Sequence, residues 1–347
     1  MRASGDSDLP LPGTILAVSE QVLVLRALGV GDLLTAVPAL RALRVAYPQH
    51  RLVLAAPAAL RDLATLTGAV DELLDTPRLG PPSWPPPPPA VAVNLHGRGP
   101  QSTAVLRALR PATLLAHAQP GQPGPPWEDD LHEIQRWCRL LEHFGIRTDP
   151  ADLLLPVPRA PNPVPGAIIV HPGCGFAARQ WPIERYAVVA RRLASTGRPV
   201  VVTGNAAQRA VAEQLVAAAD LPSTAALAGR TTLGQLAALV AGACLIVCGD
   251  TGIAHLATAY GTPSVVLFGP VSPRYWGPPP QQRQHVALWA GRTGDTFAKR
   301  PDPGLLRITP GQVIAAAEEL LVGCSRLHAL NPAGHGAVLH PRLQELP

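Results

Sequence analysis

Hydrophobic residues along the chain fall into short continuous runs that alternate with longer stretches of helical periodicity. The short runs are rich in Val, Ile and Leu, which is typical of strands buried on both faces of a sheet. They predict strands at residues 22–25, 51–55, 91–95, 167–170, 200–203, 245–248 and 264–268. The longer stretches predict helices at residues 33–46, 58–66, 131–144, 183–195, 208–218, 233–241, 253–260 and 312–322. This alternation predicts an α/β fold with parallel sheets.

Proline-rich segments interrupt the pattern and indicate the domain organisation. Residues 156–165 read PVPRAPNPVP, and a new strand begins directly after them. We therefore predict two Rossmann-like domains facing each other across a cleft, at residues 1–160 and 161–310. A helix at 311–323 and a loose tail at 324–347 are expected to follow. The five successive prolines at 85–89 predict an extended surface loop within the first domain.

Composition narrows the class of protein. A hydrophobic fraction of 47% in 347 residues is sufficient for two cores. The net charge is +5, but no dense basic tract with interleaved aromatic residues appears, so nucleic acid is not an expected partner. Five scattered cysteines predict buried thiols in a reducing compartment. The N-terminal residues do not resemble a signal peptide, and we expect a cytoplasmic protein with at most peripheral contact at the inner face of a membrane.

The first strand is followed by RALGVGDLLTAVPALRALR, residues 26–44, which contains an unusual acidic residue. The third glycine of a dinucleotide-binding loop is absent, and the carboxylate of Asp32 would repel a phosphate. Asp32 is therefore predicted to be a helix N-cap, a general base that deprotonates an alcohol, or both. The small residues Gly29 and Gly31 leave space beside this carboxylate for a substrate.

Two further loops follow strands in the second half of the chain. The glycine turn HPGCG contains Gly173, and Arg179 precedes the dipeptide WP shortly afterwards. The forked donors of Arg179 suit a phosphate oxygen. The simpler interpretation of this residue taken alone is a surface arginine that is paired with Glu184 or solvated.

The other loop reads GDTGIAHLA and joins a buried strand to a helix. Backbone N–H groups at such a helix start form an anion site, and here they belong to the segment of Thr251 and Gly252. His255 lies one turn further and can face the cleft. The ordinary alternatives are a capping role for Asp250 and a half-buried structural role for His255.

Taken together, these segments resemble glycosyltransferase family 9, the ADP-heptose:lipopolysaccharide heptosyltransferase family. The resemblance spans roughly residues 21–323 and implies a GT-B fold whose C-terminal helix crosses back to the first domain. It also implies an inverting transferase that needs no metal and no cofactor, with a nucleotide sugar as donor and a glycan, lipid-linked or small-molecule acceptor. Asp32 matches the proposed catalytic base of the family. The donor-binding positions that match are Gly173, Arg179, Asp250, Thr251, Gly252 and His255.

Several positions depart from the family or are less specific. Arg179 stands where members have lysine, and Gln208 stands where many have glutamate. The first domain usually holds the acceptor in this family, so His96 and Arg98 are acceptor candidates in addition to Gly29 and Gly31, although a structural role fits His96 and Arg98 equally well. The polyproline segment is not a feature of the family.

Two alternatives stay open. One is a transferase of the same fold that uses another nucleotide sugar and an acceptor other than lipopolysaccharide. The other is a non-catalytic protein that binds a nucleotide sugar. A dehydrogenase is the weakest interpretation, because no G-x-G-x-x-G follows any predicted strand.

Overall fold

The computed structural model describes residues 19–330 of the chain, with side chains described for residues 20–322. Within these residues the chain divides into two compact units. Unit 1 comprises residues 19–28, 39–127 and 137–148, and unit 2 comprises residues 29–38, 128–136 and 149–330. Three segments from the predicted first domain, 29–38, 128–136 and 149–160, thus group with the second unit. The glycine loop that carries Asp32 is one of them.

Ten strands and eleven α-helices make up the two units. The strands are β1 (Ser19–Leu25), β2 (Arg51–Ala56), β3 (Glu72–Asp75), β4 (Pro89–Asn94), β5 (Thr113–Leu115), β6 (Ile168–His171), β7 (Val200–Val202), β8 (Leu245–Gly249), β9 (Ser264–Phe268) and β10 (His285–Trp289). The helices are α1 (Val30–Thr35), α2 (Val37–Ala46), α3 (Arg61–Leu66), α4 (Gln101–Arg107), α5 (Glu133–His143), α6 (Ile183–Ala194), α7 (Arg209–Ala218), α8 (Leu233–Ala241), α9 (Gly252–Tyr260), α10 (Pro273–Trp276) and α11 (Pro310–Leu330).

Each unit contains one five-stranded parallel sheet. The order is β3-β2-β1-β4-β5 in unit 1 and β10-β9-β8-β6-β7 in unit 2. In the second sheet β7 lies on one side of β6, and β8, β9 and β10 follow on the other side, so the order of strands reverses between β6 and β8. His171 pairs with Cys248 at this point. Ligands of open α/β sheets bind at the carboxyl ends of the strands where such a change occurs. The topology therefore indicates the loops after β6 and β8 as the binding region of unit 2.

The predicted strands are present in the structure, and the three that the sequence pattern missed share one property. β3, β5 and β10 each lie at an edge of a sheet. None of the three is buried along its whole length, so none forms a continuous buried hydrophobic run. The fourth edge strand, β7, is fully buried, and its three valines were predicted as a strand. Helices α4 and α10 were also missed.

The single helix predicted at residues 33–46 is two helices, α1 and α2, with Ala36 between them. Pro38 lies in the first turn of α2 and has no N–H group to donate to a carbonyl one turn earlier. The helical hydrogen bonding is therefore interrupted there, and the chain restarts a helix at Val37. The predicted helix start also differs, because α1 already begins at Val30.

Helix α11 belongs to the hydrophobic core of unit 2. Val313, Ala317 and Leu321 are buried on one face of the helix, within the same cluster as residues of α6. The crossing of this helix to the first domain stays a prediction. The helix continues to Leu330 and so extends into the segment where the sequence suggested a loose tail. Residues 331–347 of that predicted tail lie outside the described residues.

We expect a buried histidine to make the stability of unit 2 dependent on pH. His285 is 8% exposed, its Nδ1 lies 2.8 Å from Ser264 Oγ, and burial lowers its pKa to about 4. An unfolded histidine binds a proton below about pH 6.5, whereas folded His285 stays neutral down to about pH 4. Stability is therefore expected to fall as the pH drops through this window, by up to about 3 kcal/mol, and to be insensitive to this group above it. Urea denaturation of wild type and His285→Gln between pH 4 and 8 measures the effect.

The variant His285→Gln should show a flatter dependence of stability on pH than the wild type. Replacement of exposed His143 by glutamine is the control and should leave the dependence unchanged. Equal slopes for wild type and His285→Gln would contradict the assignment.

Candidate functional site

A cavity of about 660 Å³ opens at the carboxyl ends of β6 and β8, where the topology indicates a binding region. All of its lining residues belong to unit 2. They come from the α1 segment, from the loops after β6, β7 and β8, from the start of α8 and from the end of α10. The predicted site residues among them are Gly29, Gly31, Asp32, Gly173, Arg179, Asp250, Thr251, Gly252 and His255.

Asp32 is the third residue of α1, and its side chain is half-buried in the cavity wall. Its Oδ2 accepts a hydrogen bond of 3.1 Å from the backbone N–H of Gly29, the residue that precedes the helix. The prediction that Asp32 itself is the N-cap is therefore wrong in position, because the helix begins two residues earlier. The carboxylate still satisfies a free N–H group at the helix start, and it does so while lining the cavity.

Arg179 and Asp250 form an ion pair in the cavity wall. Arg179 Nη1 lies 3.1 Å from Asp250 Oδ2 and 3.4 Å from the Asp250 carbonyl oxygen, and the two side chains are 22% and 5% exposed. Burial raises the pKa of Asp250, and the positive charge of Arg179 opposes that rise. The pairing of Arg179 with Glu184 considered from the sequence is replaced by this contact. Asp250 is likewise not an N-cap, since Thr251 occupies that position before α9.

The segment after Arg179 is anchored in the core of unit 2. Trp181 is 1% exposed, its Nε1 donates to the Ile308 carbonyl oxygen at 3.1 Å, and its ring packs edge-on against Tyr186 at 4.8 Å. Arg185 Nη1 donates to the same carbonyl at 2.9 Å. The WP dipeptide therefore has a structural task, because it fixes the short 3-10 helix Ala177–Arg179 from which the arginine extends. Sequence reasoning used this dipeptide only as a marker.

The first turn of α9 faces the cavity at the end of β8. Thr251 precedes the helix and its side chain makes no capping hydrogen bond, since its Oγ1 lies 3.4 Å from the Gly249 carbonyl oxygen instead. N–H groups in the first turn of a helix have no acceptor within the helix, and the helix dipole makes this end positive. The arrangement suits an anion bound in the cavity beside Arg179.

Gly252 permits a close approach between α9 and α1. A Cβ atom at Gly252 would lie 2.9 Å from Val30 Cβ and 3.3 Å from the Gly31 backbone nitrogen. We expect Gly252→Ala to lower the free energy of unfolding by about 1–3 kcal/mol, because the added methyl group forces the two helices apart. It should also weaken ADP binding, because α1 and α9 both line the cavity.

Gly175→Ala is the matched control for this substitution. A Cβ atom at Gly175 meets nothing within 4 Å, although the residue lines the same cavity. Urea denaturation and calorimetric titration with ADP compare the two variants. Equal stability of both variants would show that α1 and α9 do not pack as tightly as described.

His255 lies one turn into α9, with its ring in the cavity wall. A Cβ atom at Gly31 would lie 2.8 Å from His255 Cδ2, and the Trp276 ring lies edge-on at 6.0 Å between centroids. Because Gly31 has no side chain, the imidazole of His255 can lie directly against it. This contact brings the loop of Asp32 next to the GDTG turn.

Gly173 lies under a side chain of the neighbouring loop. A Cβ atom at Gly173 would approach the Gln208 amide group to 2.4 Å. Gln208 Oε1 accepts from the Asn205 N–H at 2.9 Å, which holds the amide across the glycine turn. Nearby, His171 Nδ1 pairs with Thr203 Oγ1 at 2.9 Å, and burial lowers the pKa of His171 to about 4. A neutral imidazole and a neutral amide therefore line this part of the cavity.

The two acceptor candidates of the first domain do not line this cavity. His96 and Arg98 belong to unit 1 and follow β4, the neighbour of β1. The His96 N–H donates to Asn94 Oδ1 at 3.1 Å, and the Arg98 carbonyl accepts from Gln119 Nε2 at 2.8 Å. Their acceptor role stays a prediction.

Among residues 20–322, whose side chains the structure describes, no group of three or more His, Cys, Asp or Glu side chains is arranged to hold a metal ion. Within the described residues 19–330, no helix has both the length and the apolar character needed to cross a membrane.

Comparisons with known proteins identify similar chains. The family model described as glycosyltransferase family 9 (heptosyltransferase) matches residues 127–301, about half of the chain. Lipopolysaccharide heptosyltransferase 2 of Salmonella typhimurium is 35% identical over 158 residues. This match covers 43% of the chain and 45% of that relative, so the matched segment spans less than half the length of the relative.

Two solved structures show the same fold over nearly the whole chain. A glycosyl transferase family 9 protein from Veillonella parvula has a TM-score of 0.72 at 20% identity and covers 89% of this chain and 100% of its own. The E. coli ADP-heptose lipopolysaccharide heptosyltransferase II has a TM-score of 0.68 at 21% identity, with coverages of 87% and 99%. With one parallel sheet in each unit, the fold is GT-B, as the sequence analysis expected.

Proposed function

The chain belongs to glycosyltransferase family 9, and from this premise we propose that it transfers a heptose from ADP-heptose to a hydroxyl group of a lipopolysaccharide core acceptor, with inversion at the anomeric carbon. The relatives and the solved structure named above carry heptosyltransferase in their names, which supports this choice of sugar. The reaction belongs to the cytoplasmic side of the membrane, with at most peripheral membrane contact. Nucleic acid has no part in it.

One observation carries the proposal. A single cavity is lined by the carboxylate of Asp32, the guanidinium of Arg179 and the first turn of α9. An acid and a cationic, amide-lined pocket are the two parts that a glycosyl transfer needs on opposite sides of the anomeric carbon. The close approach of Gly252 to Val30 supports a short distance between the helix that carries Asp32 and the first turn of α9.

The chemical step is a single displacement. The acceptor oxygen attacks the anomeric carbon while its proton passes to a carboxylate oxygen of Asp32. The bond from the anomeric carbon to the diphosphate oxygen breaks, and its electron pair leaves with ADP. Attack from the side opposite the leaving group inverts the configuration. Asp32 is well suited to this task because its carboxylate is fixed by the Gly29 N–H and still lines the cavity.

Charge on the leaving diphosphate is balanced by groups of the chain. Arg179 supplies a positive charge, and the first-turn N–H groups of α9 after Thr251 donate hydrogen bonds. His255 and Gly252 contact the same part of the donor, and Asp250 orients Arg179 through the ion pair. We propose that this set replaces a metal ion and that the enzyme carries no cofactor. Gly173 and the Gln208 amide lie toward the nucleoside side of the cavity.

An assay of the full chain with separate donors tests the proposal. ADP-heptose and a lipopolysaccharide core acceptor should give acceptor-dependent release of ADP in the presence of EDTA, with the product identified by mass spectrometry and its anomeric configuration by NMR. Transfer from a UDP- or GDP-sugar instead would favour the alternative transferase. ADP binding without transfer from any donor would favour a binding protein and overturn the proposal.

The acceptor side is tested separately. We propose that His96 and Arg98 contact the acceptor, so alanine substitution of either residue should raise the acceptor KM and leave the donor KM unchanged. An unchanged acceptor KM in both variants would remove these residues from the acceptor site.

A further inference from the structure

Trp276 lines the cavity, and the proposed function gives it no task. It is the last residue of α10 and is half-buried. A tryptophan in the wall of this cavity presents a flat apolar surface next to hydrogen-bonding groups. Cavities that bind small molecules combine such surfaces with a few fixed polar groups.

Contacts of the residues that precede Trp276 fix the position of α10. At its start, Ser272 Oγ accepts from the Arg274 N–H at 3.3 Å. On its outer side, Tyr275 Oη donates to Asp130 Oδ1 at 2.9 Å, and Arg274 forms an ion pair with the same carboxylate. The Asp130 clamp, defined as these two contacts, ties α10 to the segment before α5. These contacts hold α10, and with it the backbone of Trp276, in place, and the ring packs edge-on against His255.

The order of groups along the cavity places Trp276 on the sugar side. The anion site lies at the start of α9, and His255 is one turn further along this helix. The imidazole contacts Gly31, the neighbour of Asp32, and its ring centroid is 6.0 Å from that of Trp276. A donor whose diphosphate occupies the anion site has its glycosyl group next to Asp32. The indole lies beyond His255 at this same end.

We propose that Trp276 is a specificity-determining residue whose ring packs against the C–H face of the donor glycosyl group. The inference rests on the proposed function and names the sugar-recognising surface of the same site. A pyranose ring has an apolar face of C–H groups, and an aromatic ring packed against it excludes water and holds the sugar plane. The nucleoside diphosphate does not share this contact. Trp276 thus adds affinity for the nucleotide sugar that free ADP does not gain.

Paired binding and kinetic measurements on Trp276→Ala and Trp276→Phe test the inference. For Trp276→Ala we expect the donor KM to rise about tenfold while the affinity for ADP stays within about twofold. Trp276→Phe retains a flat ring and should recover most of the loss. Binding of the nucleotide sugar should also quench a component of tryptophan fluorescence that is missing in Trp276→Phe, whereas ADP alone should not.

Tyr275→Phe is the matched control, because it removes one contact of the Asp130 clamp and leaves the indole. An equal rise of the donor KM in this variant would show that donor binding depends on the position of α10 and not on the indole ring. That result would overturn the role of Trp276. Loss of ADP affinity in Trp276→Ala, with no rescue by phenylalanine, would overturn it as well.

Failure of the inference is distinguishable from failure of the proposed function. If the wild type transfers sugar and Trp276→Ala has an unchanged donor KM, only the inference is wrong. If the wild type transfers no sugar, titrations with ADP and an ADP-sugar still compare the two affinities. An equal affinity of the wild type for both ligands would then contradict the inference.

Discussion

Replacement of Asp32 by asparagine is expected to lower the rate of sugar transfer about 1000-fold while leaving the affinity for ADP within a few-fold of wild type. General base catalysis by a positioned side chain contributes on the order of 10²–10⁴-fold, and an amide cannot take the proton. Asparagine retains an oxygen that accepts the N–H of Gly29, so the first turn of α1 should persist. The measurement is steady-state kinetics combined with calorimetric titration of ADP.

Asp75→Asn is the matched control for this experiment. Asp75 Oδ1 also accepts a backbone N–H at a helix start, from Ala58 at 2.8 Å, but it does not line the cavity. This variant should transfer sugar at the wild-type rate. Turnover close to wild type in Asp32→Asn would remove Asp32 from the role of base, and with it the mechanism proposed for the cavity.

Replacement of Arg179 by methionine is expected to have two effects. The affinity for ADP should fall by about ten- to a hundredfold, because a charge-assisted contact to the diphosphate is lost. The protein should also lose about 3 kcal/mol of stability, because Asp250 is 5% exposed and would keep a buried charge without its partner. Calorimetric titration measures the first effect and urea denaturation the second.

Two further variants separate these effects. In Arg179→Met combined with Asp250→Asn the unpaired charge is gone, so stability should recover while ADP affinity stays low. The exposed pair of Arg191 and Asp220 is the control, since Arg191→Met should change stability by less than about 1 kcal/mol and leave ADP binding intact. Wild-type affinity for ADP in Arg179→Met would exclude this arginine from the phosphate site.

Local pattern predicted the interior strands and the fully buried edge strand β7, but not the three partly exposed edge strands β3, β5 and β10. A strand buried on both faces must be hydrophobic along its whole length, so β8 and β9 are visible as continuous runs. The edge strand β10 is only partly buried, and its pairing with β9 depends on residues outside the strand itself. The break between α1 and α2 was readable in principle from Pro38, whose missing N–H sets the restart of the helix.

The candidate site was predictable in its residues and less so in their contacts. Asp32, Arg179 and His255 were identified from strand-end motifs, and each lines the cavity. The partner of Arg179 was not identified, because Asp250 lies 71 residues away and only the neighbouring positions of β6 and β8 bring the two together. Trp276 was not predicted as a site residue, since nothing in the four-residue helix PRYW indicates that its last side chain lines the cavity.

The sequence by itself determined the alternation of buried strands and helices, the two-sheet organisation and the polar residues at strand ends, because these features depend on neighbours within a few positions. Only the tertiary structure decided that the segment carrying Asp32 groups with unit 2, against α9. It also decided that Arg179 neutralises a buried carboxylate. The first outcome depends on the close packing of Gly31 and Gly252 against distant segments, and the second on an ion pair between residues far apart in the chain. Such long-range complementarity of shape and charge leaves no periodic pattern along the sequence.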